Sequence, residues 1–317
     1  MSFSLFVEMI PISFMFAAPI VIAALGGLFS ERSGVVNIAL EGIMMVGAFA
    51  AAALTVTLET ATPLAPWLGL LMGILAGIAF SSLHALASVN LRADQTISGT
   101  ALNILAGGLT VYLAQVFFGQ QRTRAFARGI RRITVPLLSD IPIVGDMIFS
   151  RVYPTFFITL VLVVLTWFII YKTPLGLRLR SCGEHPQAAA SMGINVFAMR
   201  YIGVLTSGGL AGLAGGTMVL TQDIQYTIGS VHGVGFIALA SLIFGKWNPW
   251  GVLGAGLFFG FSQTLSLYAN DIPFLAVLPQ EFFFMLPYVL TIAALVVFAG
   301  KAVAPKAVGE IYDAGKR

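Results

Sequence analysis

The chain has 317 residues, of which 58% are hydrophobic and only 9% are charged, and its mean hydropathy is +0.94. Soluble domains carry about a quarter charged residues, so this composition excludes a water-exposed enzyme, a disordered chain and a nucleic-acid-binding domain. The net charge of +4 is typical of a membrane protein with basic cytoplasmic loops. The single cysteine, Cys182, excludes a disulfide framework and a thiolate metal site within one chain.

Long stretches without charge divide the chain into candidate membrane spans. Nine windows of at least 17 residues contain no Asp, Glu, Lys or Arg, namely 9–30, 42–58, 60–91, 95–121, 152–171, 201–222, 224–245, 247–270 and 282–300. A helix needs about 20 apolar residues to cross a bilayer, and open strands are not tolerated in lipid. The pattern therefore predicts an all-α, polytopic transmembrane bundle of about nine spans, with eight or ten also compatible, in a single domain over residues 1–317.

Three of these windows have features of their own. We interpret 9–30 as a retained first span, because no Lys or Arg precedes it as in a signal peptide. Pro63 and Pro66 predict a turn early in 60–91. Only the part 233–245 of the window 224–245 is apolar, which predicts a half-helix.

The basic residues predict the orientation of the spans. If 172–200 lies in the cytoplasm, eleven of the seventeen Lys and Arg residues and the C-terminus lie on that side, in agreement with the positive-inside rule. These eleven are Arg32, Arg92, Lys172, Arg178, Arg180, Arg200, Lys246, Lys301, Lys306, Lys316 and Arg317.

The predicted external loop, about 119–151, departs from this rule because it holds the other six basic residues. They are Arg122, Arg124, Arg128, Arg131, Arg132 and Arg151. One interpretation is an outer interfacial helix that touches lipid phosphates. The other is a docking surface for an acidic external partner.

Two runs of glycine predict close helix packing. Lipid tails are as apolar as leucine, so transmembrane helices associate through small residues at a spacing of four. The runs are Gly69, Gly73 and Gly77, and Gly208, Gly212 and Gly216. Such faces also allow helices to slide, but packing alone explains them.

The segment 172–200 predicts a short helix between two spans. Gly183 allows a turn, Glu184 and Pro186 suit the first positions of a helix, and the alanines around Ala189 favour its continuation. Gly193 can end it. A helix with such a small surface could dock into the groove of a partner.

Four polar residues within or beside the spans are candidates for lining a translocation path: Asn37, Glu41, Asn103 and Gln263. Glu41 and Asn37 should share a helical face one turn apart, and a carboxylate near the membrane usually faces the bundle interior or water. An interfacial pair with Arg32 is the alternative for Glu41. The amides could equally join helices.

No catalytic or metal site is predicted. The three histidines, His84, His185 and His232, lack metal-ligand spacing, and no phosphate-binding Gly-x-x-x-x-Gly-Lys-[Ser/Thr] motif occurs.

Several stretches carry a specific resemblance. The segment 172–200 resembles the coupling loop of ABC importer permeases in the branched-chain amino acid, ribose and nucleoside group. Four further stretches resemble the nucleoside branch of this group. They are SERSGVVNIALEG (30–42), RADQTISGTALN (92–103), GFIALA (235–240) and FGKWNP (244–249). The similarity runs from about residue 10 to 300. His185, where the family often has Asn, and the arginine-rich outer loop depart from it.

The resemblance implies a permease subunit, not an enzyme, that moves nucleosides or a similar small polar solute across the bacterial cytoplasmic (inner) membrane. It implies coupling to the ATPase through Gly183, Glu184, Pro186, Ala189 and Gly193. Its partners would be an ABC ATP-binding subunit, a second permease and a substrate-binding lipoprotein or periplasmic protein. This chain would hold no cofactor, because ATP and Mg would be bound by the ATPase. A sugar or other small-solute permease of the group, an ATP-independent secondary transporter and a membrane enzyme are the alternatives.

Overall fold

The computed structural model describes residues 3–136, 138–141, 145–269 and 304–313, with single positions at 272, 282, 285, 288, 289 and 292. Within these residues the fold is helical, with no β-strand; the one β-type contact is an isolated bridge between Ile133 and Val152. The helices are α1 (Phe3–Arg32), α2 (Leu40–Leu58), α3 (Ala65–Ala85), α4 (Gln95–Phe118), α5 (Pro154–Lys172), α6 (Pro174–Glu184), α7 (Pro186–Ser191), α8 (Val196–Gln222), α9 (Val234–Phe244) and α10 (Pro249–Tyr268). Short π-helical turns cover Leu86–Asn90 and Gly145–Phe149. The all-helical prediction is confirmed for this part of the chain.

Six helices of the described residues are long and apolar enough to cross a membrane: α1, α2, α3 with the turn that follows it, α4, α5 and α8. α10 has 20 residues and is not among the six. The prediction of about nine spans is therefore not confirmed. The window 282–300 lies outside the described residues except for single positions.

Local sequence signals explain where several helices begin and end. The Asp94 carboxylate accepts hydrogen bonds from the backbone N–H groups of Thr96 and Ile97, each at 2.9 Å, which caps α4. α4 ends at Gly119, whose φ of 70° is left-handed. The predicted turn between α2 and α3 is present, because α2 ends at Leu58 and α3 begins only at Ala65. The predicted half-helix is α9, whose 11 residues would rise about 16 Å, half of a bilayer core.

α1 and α8 occupy the centre of the bundle. α8 packs against α1, α2 and α3, and α1 packs also against α9 and α10. Most of the buried apolar side chains form a single cluster that spans these helices.

A glycine seam joins α2, α3 and α8. A Cβ atom at Gly212 would overlap the carbonyl oxygen of Gly73, and one at Gly77 would overlap the carbonyl oxygen of Gly208. A Cβ atom at Gly47 of α2 would likewise overlap the backbone of Gly212. The three backbones therefore touch where glycine removes the side chain.

The remaining glycines of the two runs lie beside this seam. Gly69 packs against the backbone of Ala51 and the hydroxyl of Thr55 on α2, and Gly216 packs against Ala51 and Leu70.

The external loop is held in extended form at one end of the bundle. Its backbone N–H groups at Phe126 and Ile130 donate to the carbonyl oxygens of Ile224 and Leu220, at 2.8 and 2.9 Å. Glu59 accepts from the backbone of the loop at Ala127. Its described residues contain no α-helix and only one short π-helical turn, Gly145–Phe149, so a long interfacial helix is not found there. All six arginines are exposed.

Candidate functional site

The predicted coupling segment folds as two helices instead of one. α6 ends at Glu184, and α7 begins with Pro186 at its first position, so Pro186 behaves as predicted. The expectation that Glu184 begins the short helix is wrong, because it closes the helix before it. Gly193 follows α7 with a φ of 80°, as a helix-ending glycine does.

Gly183 serves close packing rather than a turn. It lies inside α6, and a Cβ atom there would overlap the backbone carbonyl of Arg32. Glycine is therefore the residue that lets α6 touch the end of α1.

One face of α7 is buried and the other is open. Ala189 is only 4% exposed and clusters with Cys182, Val196 and Tyr312, so it faces inward and away from any partner. Met192, by contrast, is 82% exposed. The exposed surface at the end of α7 therefore includes Met192, the residue directly after the helix, and excludes Ala189.

A C-terminal strap, residues 304–313, lies across this segment. The backbone N–H of Ala307 donates to the carbonyl of Gly183 at 2.8 Å, and that of Gly309 donates to the carbonyl of Gly34 at 3.2 Å. Arg200, the buried guanidinium of α8, donates to the carbonyl of Glu310 at 2.9 Å. We call the end of the bundle formed by residues 30–38, α6, α7 and the strap the coupling face.

Ion pairs and hydrogen bonds attach α1 to the same face. Arg32 lies 3.9 Å from Glu184 and donates to the carbonyl of Trp247 at 2.9 Å. The Trp247 indole N–H donates to Glu31 at 2.5 Å. Arg32 is thus engaged away from Glu41, and the alternative of an Arg32–Glu41 pair is wrong.

The strap gives a direct test that uses the only cysteine of the chain. Cys182 is fully buried in a cluster that includes Tyr312 of the strap, and burial raises the pKa of its thiol against the opposing effects of Arg200 and a Ser181 hydrogen bond. Thiols react as thiolates. We expect truncation before Ala304 to increase the rate of maleimide labelling of Cys182, whereas truncation after Asp313 should leave the labelling rate unchanged. Equally slow labelling of both truncated proteins would contradict the packing of the strap against Cys182.

Glu41 binds the start of α9. Its two carboxylate oxygens accept hydrogen bonds from the backbone N–H groups of Gly233 and Gly235, each at 2.7 Å. The first N–H groups of a helix have no partner within it and carry partial positive charge, so a carboxylate is a strong ligand for them. Gly235 is required here, because a Cβ atom would lie 2.6 Å from the Glu41 backbone.

The two asparagines connect neighbouring spans. Asn103 of α4 accepts from the backbone N–H of Gly42 at 2.8 Å and donates to the carbonyl of Ile38 at 3.0 Å. Asn37 donates to the hydroxyl of Ser207 at 2.8 Å and is buried. Because Asn37 lies before α2 and outside any helix, the expectation that it shares a helical face with Glu41 is wrong.

Gln263, the fourth candidate, lines a cavity of about 410 Å³. α1, α8, α9 and α10 surround the cavity together with the segment between α8 and α9. Its polar lining residues are Gln222, Asp223, Ser230, His232, Gln263 and Ser266. Only Gln263 of the four predicted path residues faces this space, and Glu41 reaches its edge through the α9 terminus.

Comparison with known proteins decides the family. The model of the branched-chain amino acid transport system permease component matches residues 9–295. The guanosine ABC transporter permease protein NupQ of Bacillus subtilis is 48% identical over 97% of both chains. The nucleoside ABC transporter permease protein NupC of Lactococcus lactis is 45% identical over 95% of both, and the putative glucose ABC transporter permease protein TsgC13 of Haloferax volcanii is 35% identical over 81% of this chain and 76% of its own.

The chain belongs to this permease family. It is therefore a multi-pass membrane protein and a transport subunit rather than an enzyme. The family implies an ATP-binding subunit and a substrate-binding partner. Within the described residues, no group of three His, Cys, Asp or Glu side chains could hold a metal ion.

Proposed function

We propose that this permease moves nucleosides across the bacterial cytoplasmic membrane as part of an ABC importer. The similarity over 97% of the chain to a permease named for guanosine carries the proposal, and the similarity to the nucleoside permease supports it. A sugar is the second candidate, because a relative with the lower identity of 35% is named for glucose.

We place the coupling face and the C-terminus in the cytoplasm. The coupling face contains Arg32, the end of α6 and Lys306 of the strap. The distribution of basic residues assigns Arg32 and Lys306 to the cytoplasmic side. The external loop, with its six exposed arginines, then lies on the opposite side. There it can contact lipid phosphates or an acidic surface of a substrate-binding lipoprotein or periplasmic protein.

In this proposal the ATPase pushes on α7, and the motion spreads to the spans. ATP and Mg bind to the partner, whose closure would displace the exposed side of α7 near Met192. α7 is connected through the buried Ala189 cluster to the strap, and the strap is bonded to Gly34 after α1 and to Arg200 of α8. A rigid connection of this kind can bias the central helices between outward- and inward-open states. A second permease, the same or a related chain, completes the pore.

The coupling role predicts the effects of two substitutions. Glu184→Ala removes the contact with Arg32 and a 3.4 Å hydrogen bond from the backbone of Lys306. Gly193→Pro forces a negative φ on a position at 80°. We expect both to lower transport-linked ATP hydrolysis severalfold while membrane insertion is retained.

Co-purification with the ATPase and the ATP hydrolysis rate measure this effect. Gly193→Asn is the matched control, because asparagine tolerates left-handed backbone, and it should retain most of the coupling. Normal assembly and normal coupled hydrolysis in both Glu184→Ala and Gly193→Pro would contradict the docking role.

Uptake in cells that lack this chain tests the substrate. We expect the deletion to abolish uptake of at least one labelled nucleoside and to spare glucose uptake, with both rates measured at saturating solute. Re-expression of the chain should restore nucleoside uptake. Unchanged uptake of every nucleoside in the deletion strain would overturn the proposal, and a selective loss of glucose uptake would favour the sugar permease.

A further inference from the structure

The cavity between α1, α8, α9 and α10 is built from groups that bind a flat, polar solute. Its volume of about 410 Å³ lies within the range of ~300–1,000 Å³ that small-molecule sites occupy. Its lining includes the apolar side chains of Met218, Val234 and Ile237 and the aromatic rings of Phe16 and Tyr288. Nucleobases stack on such rings. Because stacking does not distinguish one base from another, the polar side chains of the lining would determine which base binds.

Gln222 is positioned by a proline on the facing helix. Pro19 lies inside α1 and has no N–H group, so the carbonyl oxygen of Met15 lacks its usual helical donor. The Gln222 amide nitrogen donates to that carbonyl at 3.3 Å. This hydrogen bond holds the side chain at the cavity lining and leaves the amide oxygen and the second amide N–H for other partners.

Glu41, through its hydrogen bond to Gly233, helps to position His232 in the cavity lining. His232 has a φ of 47°, in the left-handed region that histidine adopts more often than most residues. The carboxylate of Glu41 holds the next residue, Gly233, and Tyr288 donates to the carbonyl of His232 at 3.4 Å. The imidazole itself is exposed to the cavity.

Asp223 supplies the one carboxylate of the described cavity lining. Burial raises the pKa of Asp223, against the opposing effects of a Ser230 hydrogen bond and the His232 ring. It follows the last residue of α8, next to the external loop, where Phe126 donates to the carbonyl of Ile224 at 2.8 Å. In the orientation proposed above, this is the end at which solute arrives from outside.

We propose that this cavity is the solute site of the permease and that Asp223 selects nucleosides whose base presents two adjacent N–H donors, as guanine does. The inference rests on the proposed nucleoside function and specifies its recognition chemistry. A carboxylate offers two acceptor oxygens and no donor, so it pairs with the ring N–H and exocyclic amino group of guanine. Adenine presents a donor beside an acceptor, which a carboxylate cannot match. Gln263 binds whichever nucleoside is present.

The substitution Asp223→Asn tests the selectivity, because an amide offers one donor and one acceptor and matches adenine instead. We expect the maximal rate of guanosine uptake to fall about tenfold, while adenosine uptake stays equal or rises. Gln263→Leu should lower both rates severalfold. The matched controls are Asp140→Asn and Gln115→Leu, which should leave both rates unchanged. Asp140 is an exposed carboxylate of the external loop, and Gln115 is an exposed glutamine of α4.

Uptake is measured in cells with the complete importer, at solute concentrations that saturate the binding protein, and assembly is checked by co-purification with the ATPase. Equal effects of Asp223→Asn on the two nucleosides, or wild-type rates in both Asp223→Asn and Gln263→Leu, would overturn this inference while leaving nucleoside transport in place. Failure of the wild-type importer to take up any nucleoside would instead overturn the proposed function.

Discussion

Gly212→Ala is expected to prevent stable folding of the bundle. The added methyl group would overlap the carbonyl of Gly73 and would come within 3.0 Å of the Cα of Gly77. Both obstacles are backbone atoms of a packed helix, which cannot rotate away as a side chain can. Overpacking usually costs about 1–3 kcal/mol, and we expect at least about 3 kcal/mol here because α3 and α8 must separate along their length.

Thermal unfolding in detergent and the amount of protein in the membrane measure this effect. Gly108→Ala is the matched control, because a Cβ atom on α4 at that position meets nothing within 4 Å. Alanine has the better helix propensity, by about 0.5–1 kcal/mol, so this variant should be at least as stable as the wild type. Equal stability of the two variants would contradict the glycine seam.

Glu41→Ala is expected to abolish transport by releasing α9. It leaves the N–H groups of Gly233 and Gly235 without their acceptor in a part-buried site. Each unsatisfied buried donor costs about 1–3 kcal/mol, so the two together cost about 2–6 kcal/mol. The released turn also carries His232, which faces the cavity.

Glu41→Gln should have an intermediate effect, since its amide keeps a single acceptor oxygen. Glu8→Ala, which removes an exposed carboxylate near the start of α1, is the control and should transport normally. Uptake per assembled complex is the measurement. Full transport by Glu41→Ala would show that α9 is held by other contacts.

The local features of this fold could be predicted from sequence. The charge-free windows, the turn before α3, the half-helix α9, the start of α7 at Pro186 and its end at Gly193 each depend on a few consecutive residues. Periodicity and capping residues carry that information directly.

Long-range partners could not be predicted in this way. Nothing in the spacing of Glu41 indicates that it binds Gly233, almost two hundred residues later. The strap mixes three charged residues, Lys306, Glu310 and Asp313, with small and apolar ones, and nothing in this pattern identifies Gly34 or Gly183 as its partners. In the first part of the external loop, the backbone at Phe126 and Ile130 bonds to the end of α8, a long-range pairing that the loop sequence does not indicate.

Reconstitution of the complete importer tests the central claim most directly. Two permeases, the ATPase and the substrate-binding protein would be placed in liposomes, and uptake of labelled guanosine would be measured with ATP and with ion gradients alone. We expect uptake that requires ATP and the binding protein and that is abolished by Glu41→Ala. Guanosine uptake by this chain alone, driven by an ion gradient without ATP, would contradict the account and identify a secondary transporter.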